Sequence, residues 1–217
     1  MLCLDLEYIA RDDAAAYLEP VKAPDNYKDP EKIAAYIREK EAKQRADAGL
    51  SCDLNQIVVA GWIDDDGVMT QRVAHHATEE RVALTDLWAA VTEEWRRGDD
   101  GGLPQLVTFC GVTADWPTAV RRSQLLGVEV PACITFDRYR SPLWKGDLAQ
   151  VLTFGGTIGF QRSLKTYCRL FDIRGLPQDD IDGSEVAARW AAGDVESVLR
   201  HNAADLHATR QLACRLL

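Results

Sequence analysis

The sequence has little of what usually announces a chemistry. Its 217 residues hold four histidines, two methionines and six cysteines, and Cys3, Cys52, Cys110, Cys133, Cys168 and Cys214 form no CxxC pair. Thiols dispersed through apolar runs read as buried free cysteines of a reducing compartment; they exclude a disulfide scaffold and a structural zinc site as working expectations. No run approaches the roughly 18 apolar residues of a membrane span, and no cationic leader precedes an apolar segment. A soluble cytoplasmic protein, with no membrane partner, is therefore expected. Positive charge is in deficit as well. A net charge of -9 disfavours broad coating of nucleic acid, although a local groove can still read a phosphate backbone through metals. "FGGTIGF" has glycines but lacks the lysine and the spacing of a triphosphate-binding loop, so it reads as a turn.

What is present is apolar sequence in α/β order. An apolar fraction of 47 % supports a sizeable core. With no polar linker and no internal repeat, residues 1–217 are expected to form one domain. "MLCLDLEYIA" reads as a strand. A proline-bearing helical insertion near residues 20–50 follows, in which Asp29 caps, Pro30 takes the first helical position and Gly49 stops the run. Its apolar face is weak, which suggests a surface or substrate-facing helix. "NQIVVAGWI" and "VMTQRV" read as a hairpin joined by "DDDG". "TEERVALTDLWAAVTEEWRRG" follows with helical periodicity, its acids early and its arginines late. "PQLVTFCGV" is a strand, "DWPTAVRRSQLLG" a helix, and "VPACITFDRY" strand or extended chain. "SLKTYCRLF", "SEVAARWAAG" and the terminal "DVESVLRHNAADLHATRQLACRLL" are helical. A mixed α/β sheet flanked by helices is the economical arrangement.

Three acidic features stand out. Asp5 and Glu7, at i and i+2 of the first strand, share one face while Leu4 and Leu6 take the other; the alternative is an edge strand with its polar face in water. Asp115 stands where an apolar strand gives way to a helix starting near Pro117, a usual place for ligands in open sheets; locally it could equally be an N-cap. His201 and Asp205 lie at i and i+4 on one helix face, a pairing also common on surfaces. If these groups converge, their mutual repulsion needs cations. Two divalent ions about 3.5–4 Å apart would relieve it and form the clamp used for phosphoryl displacement. Oxygen donors favour Mg²⁺ or Mn²⁺, and His201 could take a proton from water.

In this order the motifs resemble those of the DEDD superfamily of 3'-5' exonucleases, especially a prokaryotic branch similar to the proofreading exonuclease domain of family B DNA polymerases. "LDLEY" resembles the first motif, "LVTFCGVTADWPTAVRRSQLLGV" the second and "HNAADLHATRQLACRL" the third. "NYKDPEKIAAYIREKEAKQRADAGL" resembles the branch's insertion, and "DIDGSEVAARWAAGD" its loop and helix before the last motif. The resemblance implies a ribonuclease H-like mixed sheet of about five strands. It implies Asp5, Glu7, Asp115 and Asp205 as ligands of two Mg²⁺ or Mn²⁺ ions, with His201 as general base or water-orienting residue. Histidine here takes the spacing at which one branch carries tyrosine, and Cys110 and Thr113 replace residues commonly asparagine and larger.

The implied activity is metal-dependent 3'-5' exonuclease hydrolysis of single-stranded nucleic acid, DNA more than RNA, releasing nucleoside 5'-monophosphates. Between Asp137 and Arg174 seven basic residues, Arg138, Arg140, Lys145, Lys165, Arg162, Arg169 and Arg174, face three acids. With Arg121 and Arg122 they could line a phosphate groove, or form an ordinary solvated surface. Phe109, Trp116, Tyr139, Trp144, Phe154 and Phe160 could stack on bases or pack in the core. Trp116, Arg121 and Lys165 are the candidates for substrate contact. Two other readings stay open: a nucleic-acid-binding domain that has lost productive geometry, and a phosphohydrolase of small nucleotides.

Overall fold

The computed structural model describes residues 1–98, 105–137, 141–159 and 161–217. Strand β1 (Leu2–Ala10) lies inside a sheet of order β3-β2-β1-β4. Its alternation sets the layers: Leu2, Leu4 and Leu6 face one core cluster while Cys3 faces another. β2 (Asn55–Ile63) runs antiparallel to β1, with Asp5 opposite Gly61, and β3 (Met69–Val73) closes the expected hairpin. β4 (Leu106–Val107) pairs in parallel with Leu2 and Cys3. Between β1 and β2 comes α1 (Pro30–Gly49), capped by Asp29, whose side chain accepts the Glu31 N–H at 2.9 Å. It buries Ala48 and Gly49, so it is a surface helix.

Helices α2 (Ala77–Gly98) and α3 (Asp115–Leu126) cover the leucine face. Leu84, Leu87, Trp88 and Val91 meet Trp116 and Ala119 there. A buried ion pair fastens these helices to the sheet: Arg122 Nε and Nη2 each lie 2.7 Å from a carboxylate oxygen of Glu80, which also accepts the Ile57 N–H at 2.9 Å. The opposite face is covered by α5 (Leu148–Leu152), α6 (Leu164–Leu170) and α8 (Val195–Leu216), through Leu148, Leu164, Tyr167, Leu206 and Leu212. α4 (Pro142–Gly146) precedes α5, and α7 (Val186–Ala191) precedes α8.

Among the described residues the sheet has four strands rather than about five. "PQLVTFCGV" pairs over two residues because Cys110 then adopts φ 65 and turns the chain. The next edge position is a single parallel bridge from Thr108 to Asp147, formed where α4 hands over to α5. Through residue 137, "VPACITFDRY" is irregular: Ile134 N–H bonds back to Pro131 O in a turn, while Cys133 and Ile134 pack on the leucine face. Arg138, Tyr139 and Arg140 lie outside the described residues. Helices α4 and α5 are additions to the expected order. Ser141 caps the first, with Pro142 at its first position, and Asp147 caps the second. The arrangement is α/β and ribonuclease H-like, a mixed sheet with helices on both faces. No helix among the described residues is long and apolar enough to cross a membrane.

Candidate active site

The strand period turns Asp5 and Glu7 toward α8, and a missing side chain lets that helix come close. A Cβ at Gly61, opposite Asp5, would run into Asn202 Oδ1 and Leu206 Cδ1. In the space left by glycine, Asn202 Nδ2 donates to Asp5 Oδ2 at 2.7 Å and to the Asp5 carbonyl at 3.1 Å. Gln71 Nε2 in turn donates to Asn202 Oδ1 at 2.9 Å. Asp5 is thus held in orientation by an amide relay reaching back to β3.

Asp115 arrives from the open edge of β1. β4 pairs no further than Cys3, and the Leu6 N–H beyond it lies near enough to the Asp115 carboxylate to oppose the rise in its pKa. Asp115 is the first residue of α3, and the N-cap is Ala114, which makes no side-chain cap bond. The capping role open from sequence is therefore not what holds the carboxylate. Pro117 sits inside the first turn, where its lack of an N–H costs no helical bond. The preceding loop is pinned by Asp147, a buried acid that accepts the Val112, Ala149 and Gln150 N–H groups at 2.9, 2.9 and 3.2 Å. Cys110 starts this loop in the left-handed region, which costs a side chain with a Cβ about 1–2 kcal/mol. Asparagine tolerates that conformation better. Its oxygen could accept from Gln161 Nε2, now 2.6 Å from Cys110 Sγ. Cys110→Asn is expected to raise the melting temperature by roughly 2–4 °C, the shift that about 1 kcal/mol produces at this size. A lower value in a thermal melt would contradict the strain argument.

α8 brings the last groups. His201 Nε2 stands 4.0 Å from Glu7 Oε1 and 4.0 Å from Asp205 Oδ2. Its other nitrogen is 3.0 Å from Asp179 Oδ1, an acid that no sequence pattern singled out. Asp179, His201 and Asp205 each offer a ligand atom within 4.8 Å of the others, enough to hold one metal ion. Asp5, Glu7, Asp115 and Asp205 are drawn from three elements; the charge of Asp205 bears on Asp5, those of Asp5, Asp205 and Asp115 bear on Glu7, and that of Asp5 bears on Asp115.

Burial is the first cause of each shift. It pushes Asp5 up to about 7, followed by the charge of Asp205, even though Asp5 keeps a strip of surface open to solvent. Glu7 and Asp115 are raised well above the usual carboxylate range, by burial and then by Asp5. Burial also raises Asp205, with His201 opposing. Between the ordinary carboxylate value near 4 and the raised one, the folded chain holds protons that the unfolded chain has released, so stability falls as pH rises through that window. In chelator the melting temperature should therefore drop between about pH 4 and pH 7, and Mg²⁺ should recover it most at the alkaline end. A melting temperature that climbs across that window in chelator would refute the crowded-acid picture. Asp179 runs the other way: burial raises it, but Lys165 and His201 outweigh burial and hold it below the usual range.

Several expected substrate contacts take other places. Trp116 is 0 % exposed and stacks on Trp88 in the leucine-face core, so it has no open face for a base. Arg122 is buried against Glu80 and is no part of a positive surface. Arg121 Nε pairs with Asp53 Oδ1 at 2.8 Å. Lys165 Nζ reaches Asp179 Oδ2 and Asp182 Oδ1 at 2.9 Å each, so its charge is engaged by this loop. Phe109 packs edge-on against Tyr167, and Trp144 is part-buried against the leucine-face cluster. Phe154 is 73 % exposed on the glycine turn. Lys145, Arg162 and Arg169 are exposed, while Arg174 pairs with Asp172. Phe160 lies outside the described residues. The six cysteines are free, Cys3 and Cys168 buried and Cys214 exposed.

No family model and no curated protein matches this chain. Among solved structures it is similar to the family B DNA polymerase from the hyperthermophilic archaeon Pyrobaculum calidifontis, with a TM-score of 0.59 and 17 % identity. The match covers 99 % of this chain and 24 % of the polymerase. At that identity the likeness is one of fold, and the chain spans about a quarter of the polymerase's length.

Proposed function

We propose that this protein is a metal-dependent nuclease, and more narrowly a 3'-5' exonuclease acting on single-stranded ends, DNA in preference to RNA. The observation that carries the reading is the mutual proximity of Asp5, Glu7, Asp115 and Asp205, an acid cluster felt in their raised pKa values, with His201 Nε2 4.0 Å from Glu7 and from Asp205. Buried acids in such proximity are unfavourable unless protonated or neutralised, and oxygen donors beside one imidazole, with no thiolate, fit Mg²⁺ or Mn²⁺. Asp5, Glu7, Asp115 and Asp205 would hold two such ions. When bound, these would supply an acidified water and neutralise charge on the scissile phosphate.

The chain's own groups then have distinct tasks. His201 Nε2 takes a proton from water, whose oxygen bonds to phosphorus as the bond from phosphorus to the 3' oxygen breaks. That oxygen is protonated by solvent, and the terminal nucleotide leaves as a 5'-monophosphate. Asn202 keeps the Asp5 carboxylate oriented throughout. Among the described residues of the basic stretch, exposed Lys145, Arg162 and Arg169 would meet phosphates.

The test is incubation of single-stranded DNA and RNA, labelled at the 3' or the 5' end, with Mg²⁺ or Mn²⁺. The expected result is early release of the 3' label as mononucleotide and a ladder from the 5' label, both abolished by chelator. Release of neither label by folded protein would reject the nuclease, and internal fragments alone would reject the exonuclease direction.

A further inference from the structure

His201 is 4 % exposed, and a buried imidazole needs a partner at each nitrogen. Asp179 supplies one at Nδ1, across 3.0 Å. Asp179 is itself held from other directions. The Ile181 N–H donates to Oδ1 at 3.3 Å, and Lys165 Nζ forms an ion pair with Oδ2 at 2.9 Å. Lys165 also donates to the Ile181 carbonyl at 3.2 Å and to Asp182 Oδ1 at 2.9 Å, closing the loop around the carboxylate. An acid surrounded by donors is an acceptor.

We propose that Asp179 is a positioning residue for His201. By accepting the Nδ1–H it fixes the tautomer in which the Nε2 lone pair faces Glu7 and Asp205, oriented to receive a proton from water. The separations on the far side agree. At 4.0 Å from both Glu7 and Asp205, Nε2 is too distant for a direct hydrogen bond to either but leaves a gap that one small group can bridge. Gly183 adds no side chain nearby; a Cβ there would stand 3.7 Å from Nε2. The same relation of carboxylate to imidazole is used wherever a histidine must present one chosen nitrogen. This inference rests on the nuclease reading for its purpose, though not for its geometry.

Two readouts separate positioning from mere docking of the loop on α8. The first is the ¹⁵N spectrum of His201 in metal-free protein, at a pH where the ring is neutral. Wild type should show a protonated Nδ1 and a bare Nε2, and added Mg²⁺ should leave the Nδ1–H in place. Asp179→Asn should shift the ring toward the Nε2–H form, whereas Asp180→Asn, on the same loop, should not. The second is kinetic. Asp179→Asn should lower kcat by about 10²–10⁴-fold with KM little changed. A bare Nδ1 in wild type, loss of the Nδ1–H on adding Mg²⁺, or an unchanged tautomer in Asp179→Asn would overturn the proposal. The wild-type spectrum decides it even if the variant does not fold. It also needs no substrate, so a protein with Nδ1–H that cleaves nothing fails the nuclease reading alone.

Discussion

Asp5→Asn is expected to reduce hydrolysis by about 10³-fold or more while making the metal-free protein more stable above neutral pH. The two effects share one cause. Burial and the charge of Asp205 raise the pKa of the Asp5 carboxylate, so its charge is unfavourable there without a cation. Asparagine removes the charge yet keeps an oxygen to accept the Asn202 amide, which now donates across 2.7 Å. Relief of one buried repulsion is worth about 1–3 kcal/mol. Loss of a group that holds a divalent ion removes several kcal/mol of transition-state stabilisation, and about 4 kcal/mol corresponds to that thousandfold. Thermal melts in chelator and in Mg²⁺, beside turnover of labelled oligonucleotide, provide the check. The order of stabilities should invert: the variant ahead in chelator, wild type gaining more from Mg²⁺ by mass action. A variant that is less stable in chelator and cleaves at the wild-type rate would remove Asp5 from the site.

How much of this was legible in the sequence depended on periodicity. Asp5 and Glu7 interrupt an apolar strand at period two, so their shared face could be read directly. His201 and Asp205 could be read the same way from helical spacing. Asp115 was marked by its place between strand and helix. Asp179 carried no such mark: it lies in "LPQDDIDG", where acids follow no period and only the fold selects one to face His201. Trp116 shows the opposite error. Adjacency to Asp115 suggested a shared role, but consecutive helical residues point about 100° apart, and the next position along α3 turns into the core against Trp88. Helices α4 and α5, of five residues each, are too short for hydrophobic periodicity, although Ser141-Pro142 and Asp147 supplied their start signals. The two-residue span of β4 was hidden because an apolar run gives no sign that Cys110 will leave the extended region.

Arg122→Ala should be among the most damaging single changes outside the acid cluster, with an expected loss of about 3–5 kcal/mol. Arg121 and Arg122 are neighbours in sequence and opposites in role. Arg121 pairs at the surface with Asp53, its side chain 47 % exposed, where an ion pair is worth little. Arg122 has 5 % of its side chain exposed and Glu80 has 3 %. Alanine at 122 would strand the Glu80 carboxylate in the core with the Ile57 N–H as the donor left from this arrangement. Against total stabilities of about 5–15 kcal/mol, that loss is severe. Replacing both partners by apolar residues, as in Glu80→Leu with Arg122→Met, should recover much of it, since the penalty arises from an orphaned charge rather than from a missing attraction. Urea titration of the two single variants and the double variant measures this directly. A cost for Arg122→Ala below about 1 kcal/mol, or a double variant worse than either single one, would contradict the buried-pair account. The consequence extends to the acid cluster, because α3 carries Asp115 at its first residue. A helix loosened at Arg122 displaces Asp115 from the other acids, so Arg122→Ala should cleave more slowly than wild type even at temperatures where it remains folded.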